Sequence, residues 1–187
     1  MKPRHSNSLL LVWRIAEFEA RHLNASIIAP THLLLGLCKV VDVDLPDIVS
    51  KDAADRNEVL EELLREVRKL RTVFRVAGVN AKTLRRRLRS ASAERRFSLD
   101  ESERLHRSST AKQIFADAEH FAQVGNGAVY PAHLLYATLL AEDKHRDATL
   151  TELKIDKKRL LSVAKRDVLT FQVGPVSETR RARARWN

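Results

Sequence analysis

The chain has 187 residues, with 34 Lys or Arg against 24 Asp or Glu and a formal charge of +10. That length supports one sizeable hydrophobic core, no run approaches the roughly 18 apolar residues of a membrane span, and the single cysteine, Cys38, excludes an internal disulfide. Only five Gly and five Pro punctuate a sequence rich in Ala, Leu, Arg and Glu, which favours an all-α fold. The stretch Leu9-Leu10-Leu11-Val12-Trp13 is too short for a signal-peptide core and is followed by Arg14 and Glu17, so a cytoplasmic location is expected.

After a polar lead-in, Ser6 or Asn7 is the expected N-cap of a first helix whose apolar stripe is Leu9, Leu10, Trp13, Ala16, Ala20 and Leu23. Asn24-Ala25-Ser26 breaks it, Ile27 or Ile28 anchors the loop, and Pro30 suits the first turn of a second helix. Cys38 falls on that helix's apolar stripe and reads as a buried thiol. From Val41 to Ala54 the chain turns acidic and irregular, and Pro46 is expected to end helical order. A long helix follows from about Asp55 to Ala77, with Gly78 as its C-cap and Asn80 capping a short fourth helix. Further helices are expected at about 110–124, 132–142, 147–153 and 157–169, the last capped by Asp156.

The second group of helices repeats the first. Ala20-Arg21-His22-Leu23, then Ile28 and Pro30-Thr31-His32-Leu33-Leu34, returns as Gly125, Val129 and Pro131-Ala132-His133-Leu134-Leu135. Each half continues to a matching turn, Ala77-Gly78-Val79-Asn80 in one and Leu153-Lys154-Ile155-Asp156 in the other. From His32 to Gly78 is 46 positions and from His133 to Lys154 is 21, so the first copy carries an insertion of 25. One copy alone has too few helices to bury its stripes.

This duplicated pattern resembles the Clp amino-terminal domain, the all-α module at the front of Clp-type AAA+ unfoldases. Its consensus is roughly A-x-x-L-x-(H/N)-x-x-I-G-T-E-H-(L/I)-L-L-G-L. The first copy matches from Ala20 to Leu37, whereas the second has Tyr136 and Thr138 where Leu is usual. The resemblance implies two pseudo-twofold-related four-helix repeats forming one domain. Residues 1–80 are then the first repeat, with the insertion at about 40–66, and 81–109 a basic Ser-rich linker. The second repeat is 110–170, and 171–187 a basic flexible tail.

No G-x-x-x-x-G-K-[ST] phosphate loop, G-x-S-x-G, H-E-x-x-H, C-x-x-C or G-x-G-x-x-G occurs, so neither catalysis nor a cofactor is expected. His32 and His133 open helices and are expected to tie down the preceding loops, with no clustered ligands to suggest zinc. In some Clp unfoldases the amino domain recognises phosphorylated arginine, and the resemblance assigns this to the Glu before each motif His, with a Thr opening each repeat. Here those positions are Thr31 and Ala132, and Ser6 and Ser108. The guanidinium acceptors are lost, so phospho-arginine recognition is not expected. Tyr130 replaces a family Gly and is expected to add a ring to the surface. Ser6, Thr31, Ser108, Tyr130 and Ala132 are therefore the candidate protein-binding residues, and Ile27 and Val129 are further peptide contacts or core anchors.

The positive charge is concentrated. Residues 82–107 hold nine Lys or Arg against four Asp or Glu, and 178–187 hold four Arg against one Glu. Arg85, Arg86, Arg87, Arg89, Arg181, Arg183 and Arg185 are candidate polyanion contacts, beside a Trp186 able to stack on a base. The resemblance implies a non-enzymatic, stand-alone protein-interaction module for Clp unfoldases, adaptors or substrates. The alternative is a nucleic-acid-associated protein acting through the Arg-rich linker and tail.

Overall fold

The computed structural model describes residues 3–49, 55–92, 105–123 and 127–170. Arg95, Arg96, Gly125, Arg181, Arg183, Arg185 and Trp186, with the tail and residues 93–104 of the expected linker, lie outside these residues. Among the described residues there are nine helices. The first repeat supplies α1 (Asn7–His22), α2 (Pro30–Val40), α3 (Leu45–Ile48), α4 (Arg56–Val76) and α5 (Ala81–Ser92). The second supplies α6 (Ser109–Gln123), α7 (Pro131–Leu140), α8 (Lys144–Glu152) and α9 (Lys157–Thr170).

Local chemistry sets these boundaries. Ser6 caps α1 by accepting the Leu9 N–H at 3.3 Å, and Ser108 caps α6 by accepting the Ala111 N–H at 3.0 Å. Asn80 and Asp156 do the same for α5 and α9. Helix α4 ends at Gly78, whose φ of 74° lets the Val79 N–H reach the Phe74 carbonyl at 2.8 Å. The second repeat closes α8 identically, Ile155 N–H to Leu150 carbonyl at 2.8 Å, with Lys154 at a φ of 54° where glycine is the usual residue.

Two expectations need correcting. Pro46 does not end a helix: it stands in the first turn of α3, where its missing N–H has no intrahelical partner to lose. The short helix expected after Asn80 extends to Ser92, into what was expected as linker: residues 81–92 form α5, whose Leu84 and Leu88 are fully buried. Four-residue spacing puts both on one face, with Arg86 exposed on the opposite one and Arg85, Arg87 and Arg89 between.

The helices share one core through α1, α2, α5, α6, α7 and α9, with Val12, Ala16, Leu33, Leu34, Ile114 and Leu134 all inaccessible to solvent. Cys38 is buried there and burial pushes its thiol pKa upward. Helices α1 and α2 pack closely enough that Gly36 faces the Val12 carbonyl. The interrepeat contacts are reciprocal: α5 packs on α8, and α4 packs on α9.

Among the described residues four two-residue strands, which periodicity could not reveal, join the repeats. Strand β1 (Arg4–His5) pairs in parallel with β4 (Ala128–Val129), and β2 (Ile27–Ile28) with β3 (His106–Arg107). Each ladder takes one strand from each repeat. The Ser6 N–H donates to the Val129 carbonyl, and the Ser108 N–H to the Ile28 carbonyl, both at 3.0 Å. Between the ladders, Trp13 and its counterpart Phe115 meet edge to face at 5.6 Å, with the Arg107 guanidinium over both rings.

Candidate functional site

The exchanged ladders regroup the residues of the two motifs. The Ser108 N–H meets the Ile28 carbonyl, three residues ahead of Thr31, and the Ser6 N–H meets the Val129 carbonyl ahead of Tyr130 and Ala132. Each ladder sets a serine of one half at the loop of the other, and Ser108 itself does not line the cleft at Thr31.

The place around Thr31 opens into a cleft of about 260 Å3. Leu23, Ala25, Ile27 and Ala29 form its apolar side, and Thr31 and His32 from the first turn of α2 lie at its base. Ala91 and Ser92 at the end of α5, with His145 at the start of α8, complete the rim. Ile27 is 45 % exposed, a large apolar side chain held at the mouth while its neighbour Ile28 is fully buried. That alternation is what a strand produces, because successive side chains leave on opposite faces. Among the described residues, none from the 40–66 insertion lines the cleft.

His32 sets the cleft's back wall. Its Nδ1 accepts the Ala29 N–H at 2.9 Å, the reach-back to the N-cap that Glu usually makes in a capping box. His133 does the same to Tyr130 at 3.0 Å. With Nδ1 an acceptor, each neutral ring carries its proton on Nε2. Burial lowers both pKa values to about 4, against the weaker opposing charges of Glu19 and Asp143 at His32 and the Tyr130 backbone bond at His133. Both rings are thus neutral loop anchors. Among the described residues no group of three His, Cys, Asp or Glu side chains is placed to hold a metal.

Thr31 is not idle in the position of the family's Glu. Its hydroxyl donates to Asp143 Oδ2 at 2.9 Å, while Asp143 Oδ1 caps α8 by accepting the His145 and Arg146 N–H groups at 3.0 Å. Arg146, fully buried, fixes the same turn. It donates to the Ala141 carbonyl at 2.6 Å, to the Thr138 carbonyl and to Asp147, placing a cation on the last carbonyls of α7. Asp143 and Arg146 thereby hold His145 at the rim. Neither was singled out from the sequence, because only the fold, by packing α8 on α5, brings the N-cap of α8 to the first turn of α2; Asp143 ahead of Lys144 did carry a readable N-cap signal.

At the related place around Ser6 the described candidate residues are buried. Ser6 is 4 % exposed and Ala132 3 %. Tyr130, expected on the surface, is 4 % exposed and stacks on the His133 ring at 5.7 Å, because it occupies the α7 N-cap and its side chain turns inward. Helix α4 covers the start of α1: Ser8 donates to Glu66, and Asn7 donates to Glu62 at 3.0 Å. Glu66 is 3 % exposed, and among the described residues its Oε1 has no hydrogen-bond partner. Burial raises its pKa to about 7, against the Ser8 and Ser6 hydrogen bonds that lower it.

The four candidate arginines of α5 divide. Arg89 makes a two-point pair with Glu19, both contacts 2.6 Å, and Glu19 is 1 % exposed. Arg87 pairs with Glu152 across the repeats at 2.6 Å, Arg85 is half-buried, and Arg86 is exposed.

No protein-family model matches the chain, and no curated protein sequence does. Solved structures do. A chain from structural investigations of a malarial protein secretion system is similar over 90 % of this chain and 97 % of its own, at 19 % identity and a TM-score of 0.63. The Hsp104 N-terminal domain from Candida albicans is similar over 86 % and 89 %, at 15 % identity and 0.60. The N-terminal domain of the Clp chaperone ClpD from Arabidopsis thaliana is similar over 89 % and 95 %, at 15 % identity and 0.56. The chain has the all-α double-repeat fold of the Clp amino-terminal domains.

Proposed function

We propose that this chain is a non-enzymatic protein-interaction module that takes its partner, an adaptor, a substrate or a component of the Clp machinery, through the cleft of the first repeat. The single observation that carries this reading is the open, mainly apolar cleft beneath Ile27, with a backbone fixed by His32 and a rim fixed by Asp143 and Arg146. Apolar concavity with a few oriented polar groups is the usual form of a binding site. The likeness to Clp and Hsp104 amino-terminal domains supports the class of partner. No helix among the described residues is long and apolar enough to cross a membrane.

Affinity capture from nuclease-treated lysate, at low and at moderate salt, tests the proposal when run beside the Ile27→Asp variant. A defined Clp component, adaptor or client should persist at moderate salt with the wild type and be lost with the variant. Recovery of nucleic acid and ribosomal proteins alone, vanishing with salt or nuclease, overturns the proposal. That result transfers function to the arginine-rich segments, since phosphate contacts are strongly salt-dependent.

A further inference from the structure

Strand β2 has one partner among the described residues, β3, and so one open edge. The Ile28 carbonyl accepts the Ser108 N–H at 3.0 Å, which makes Ile28 the residue of β2 whose backbone turns toward β3. In a parallel ladder the N–H and C=O of one residue leave on the same edge, and those of its neighbours leave on the other. Ile27 and Ala29 therefore turn their backbones to the open edge. The Ala29 N–H is taken by His32 Nδ1 at 2.9 Å. The Ile27 N–H and C=O have no hydrogen-bond partner among the described residues.

The bond from Ala29 also brings the His32 ring to that edge. Its remaining donor, Nε2–H, makes no hydrogen bond among the described residues and is not sealed from solvent, although the side chain as a whole is 5 % exposed. The ring lines the cleft, so this N–H is presented there. The mouth thus holds a donor and an acceptor on Ile27 and a second donor on His32, beside the apolar side formed by Leu23, Ala25 and Ala29. The charges that reach His32 are the carboxylates of Glu19 and Asp143, the first paired with Arg89. A neutral carbonyl suits that donor, and a carboxylate does not.

We infer that the open edge of β2 receives an extended internal segment of a partner protein as an added strand: its backbone pairs with Ile27, one of its carbonyls takes the His32 Nε2–H, and every second side chain, apolar, enters the cleft. This rests on the reading of the cleft as the binding site and adds the form of the ligand. In strand addition the main-chain bonds supply affinity and the pocket for alternate side chains supplies selectivity. The segment is thereby defined by apolar residues at alternate positions, by an unblocked backbone between them, and by the absence of a terminal carboxylate at the cleft.

The test uses the full chain and the peptide acetyl-Lys-Leu-Thr-Leu-Lys-amide, with amide hydrogen exchange followed by 1H–15N NMR. In the free protein Ile27 should exchange fast, and Ile28, already in the ladder, slowly. Saturating peptide should slow Ile27 by about tenfold or more and leave Ile28 unchanged. An added strand uses only every second N–H of the peptide. N-methylation at the Thr and at the second Leu keeps every side chain, and the two should differ in affinity by about tenfold or more. The inference is overturned by an absence of saturable binding, by binding that leaves the Ile27 amide unprotected, or by equal affinities of the two N-methylated peptides. Failure of the partner reading looks different: the peptide protects Ile27 while no protein is captured from lysate in a manner that Ile27→Asp abolishes.

Discussion

Gly36→Ala offers a sharp check on how the cleft is positioned, because Gly36 sets the distance between α1 and the helix whose first turn carries Thr31 and His32. A methyl group built on Gly36 falls 2.5 Å from the Val12 carbonyl oxygen, 3.2 Å from the Ala16 nitrogen and 3.3 Å from the Ala16 Cβ. Two of these atoms are main chain in the middle of α1 and have no rotamer through which to retreat. The helices must separate by several tenths of an ångström along a contact that both repeats depend on. Overpacking costs about 1–3 kcal/mol, and a 2.5 Å approach to unyielding main chain puts this case at about 2–3 kcal/mol. The gain in helix propensity from Gly to Ala returns about 1 kcal/mol, leaving a net loss of about 1–2 kcal/mol. For a domain of this size that lowers Tm by roughly 2–8 °C, read by circular dichroism at constant pH and by the urea midpoint. Gly78→Ala is the control: its φ of 74° costs about 1 kcal/mol of backbone strain, but nothing lies within 4 Å to clash. A Gly36→Ala protein as stable as the wild type, or more so, refutes the close-packing argument.

Three further outcomes follow from the buried polar groups. His32 and His133 have folded pKa values near 4 against about 6.5 unfolded, so each favours the folded state above pH 6.5, and each loses up to about 3 kcal/mol as pH falls to 4. Urea titrations across that window should show the loss, and His133→Gln should flatten it. Glu66 acts with the opposite sign: its pKa near 7 lies above the unfolded value, so its contribution is present below pH 4.5 and lost as pH rises through 7. Glu66→Gln should therefore stabilise the protein by about 1–3 kcal/mol at pH 8 and change little at pH 4.5, and equal effects at both would contradict the assignment. Arg89→Ala strands the buried Glu19 carboxylate and should cost about 3–5 kcal/mol. Arg87→Ala removes a half-exposed pair and should cost under about 1 kcal/mol by the same denaturation assay.

What could be read from the sequence was whatever depends on residues three to seven apart. Ser6, Asn80 and Asp156 as caps, Gly78 as a terminator, Pro30 in a first turn and the motif histidines as loop anchors are local chemistry, and the structure places each accordingly. Helix α4, with its stripe from Val59 to Phe74, was equally plain. The candidate site was legible only as a set of positions. That Thr31 meets Asp143, 112 residues away, depends on α8 packing on α5, which no periodicity encodes. Tyr130 was misread for the same reason, since an N-cap side chain faces solvent or core according to what the fold sets before it. The strands are two residues long, shorter than any alternation that could announce them. Pro46 was ambiguous in principle: proline both ends helices and begins them, and neighbours such as Leu45, buried in the core, decide which.

The exchanged strand pairs bear on how such a molecule arises. Each repeat's lead-in strand is satisfied only by the loop of the other, so a polypeptide one repeat long leaves both a strand and its receiving edge open. Two such polypeptides close the circuit as a symmetric dimer, with folding then coupled to their concentration. Fusing the two genes removes that dependence and frees each half to diverge. A homodimer cannot place alanine at one N-cap and tyrosine at the other, because both are encoded once. The single chain can, and this one has.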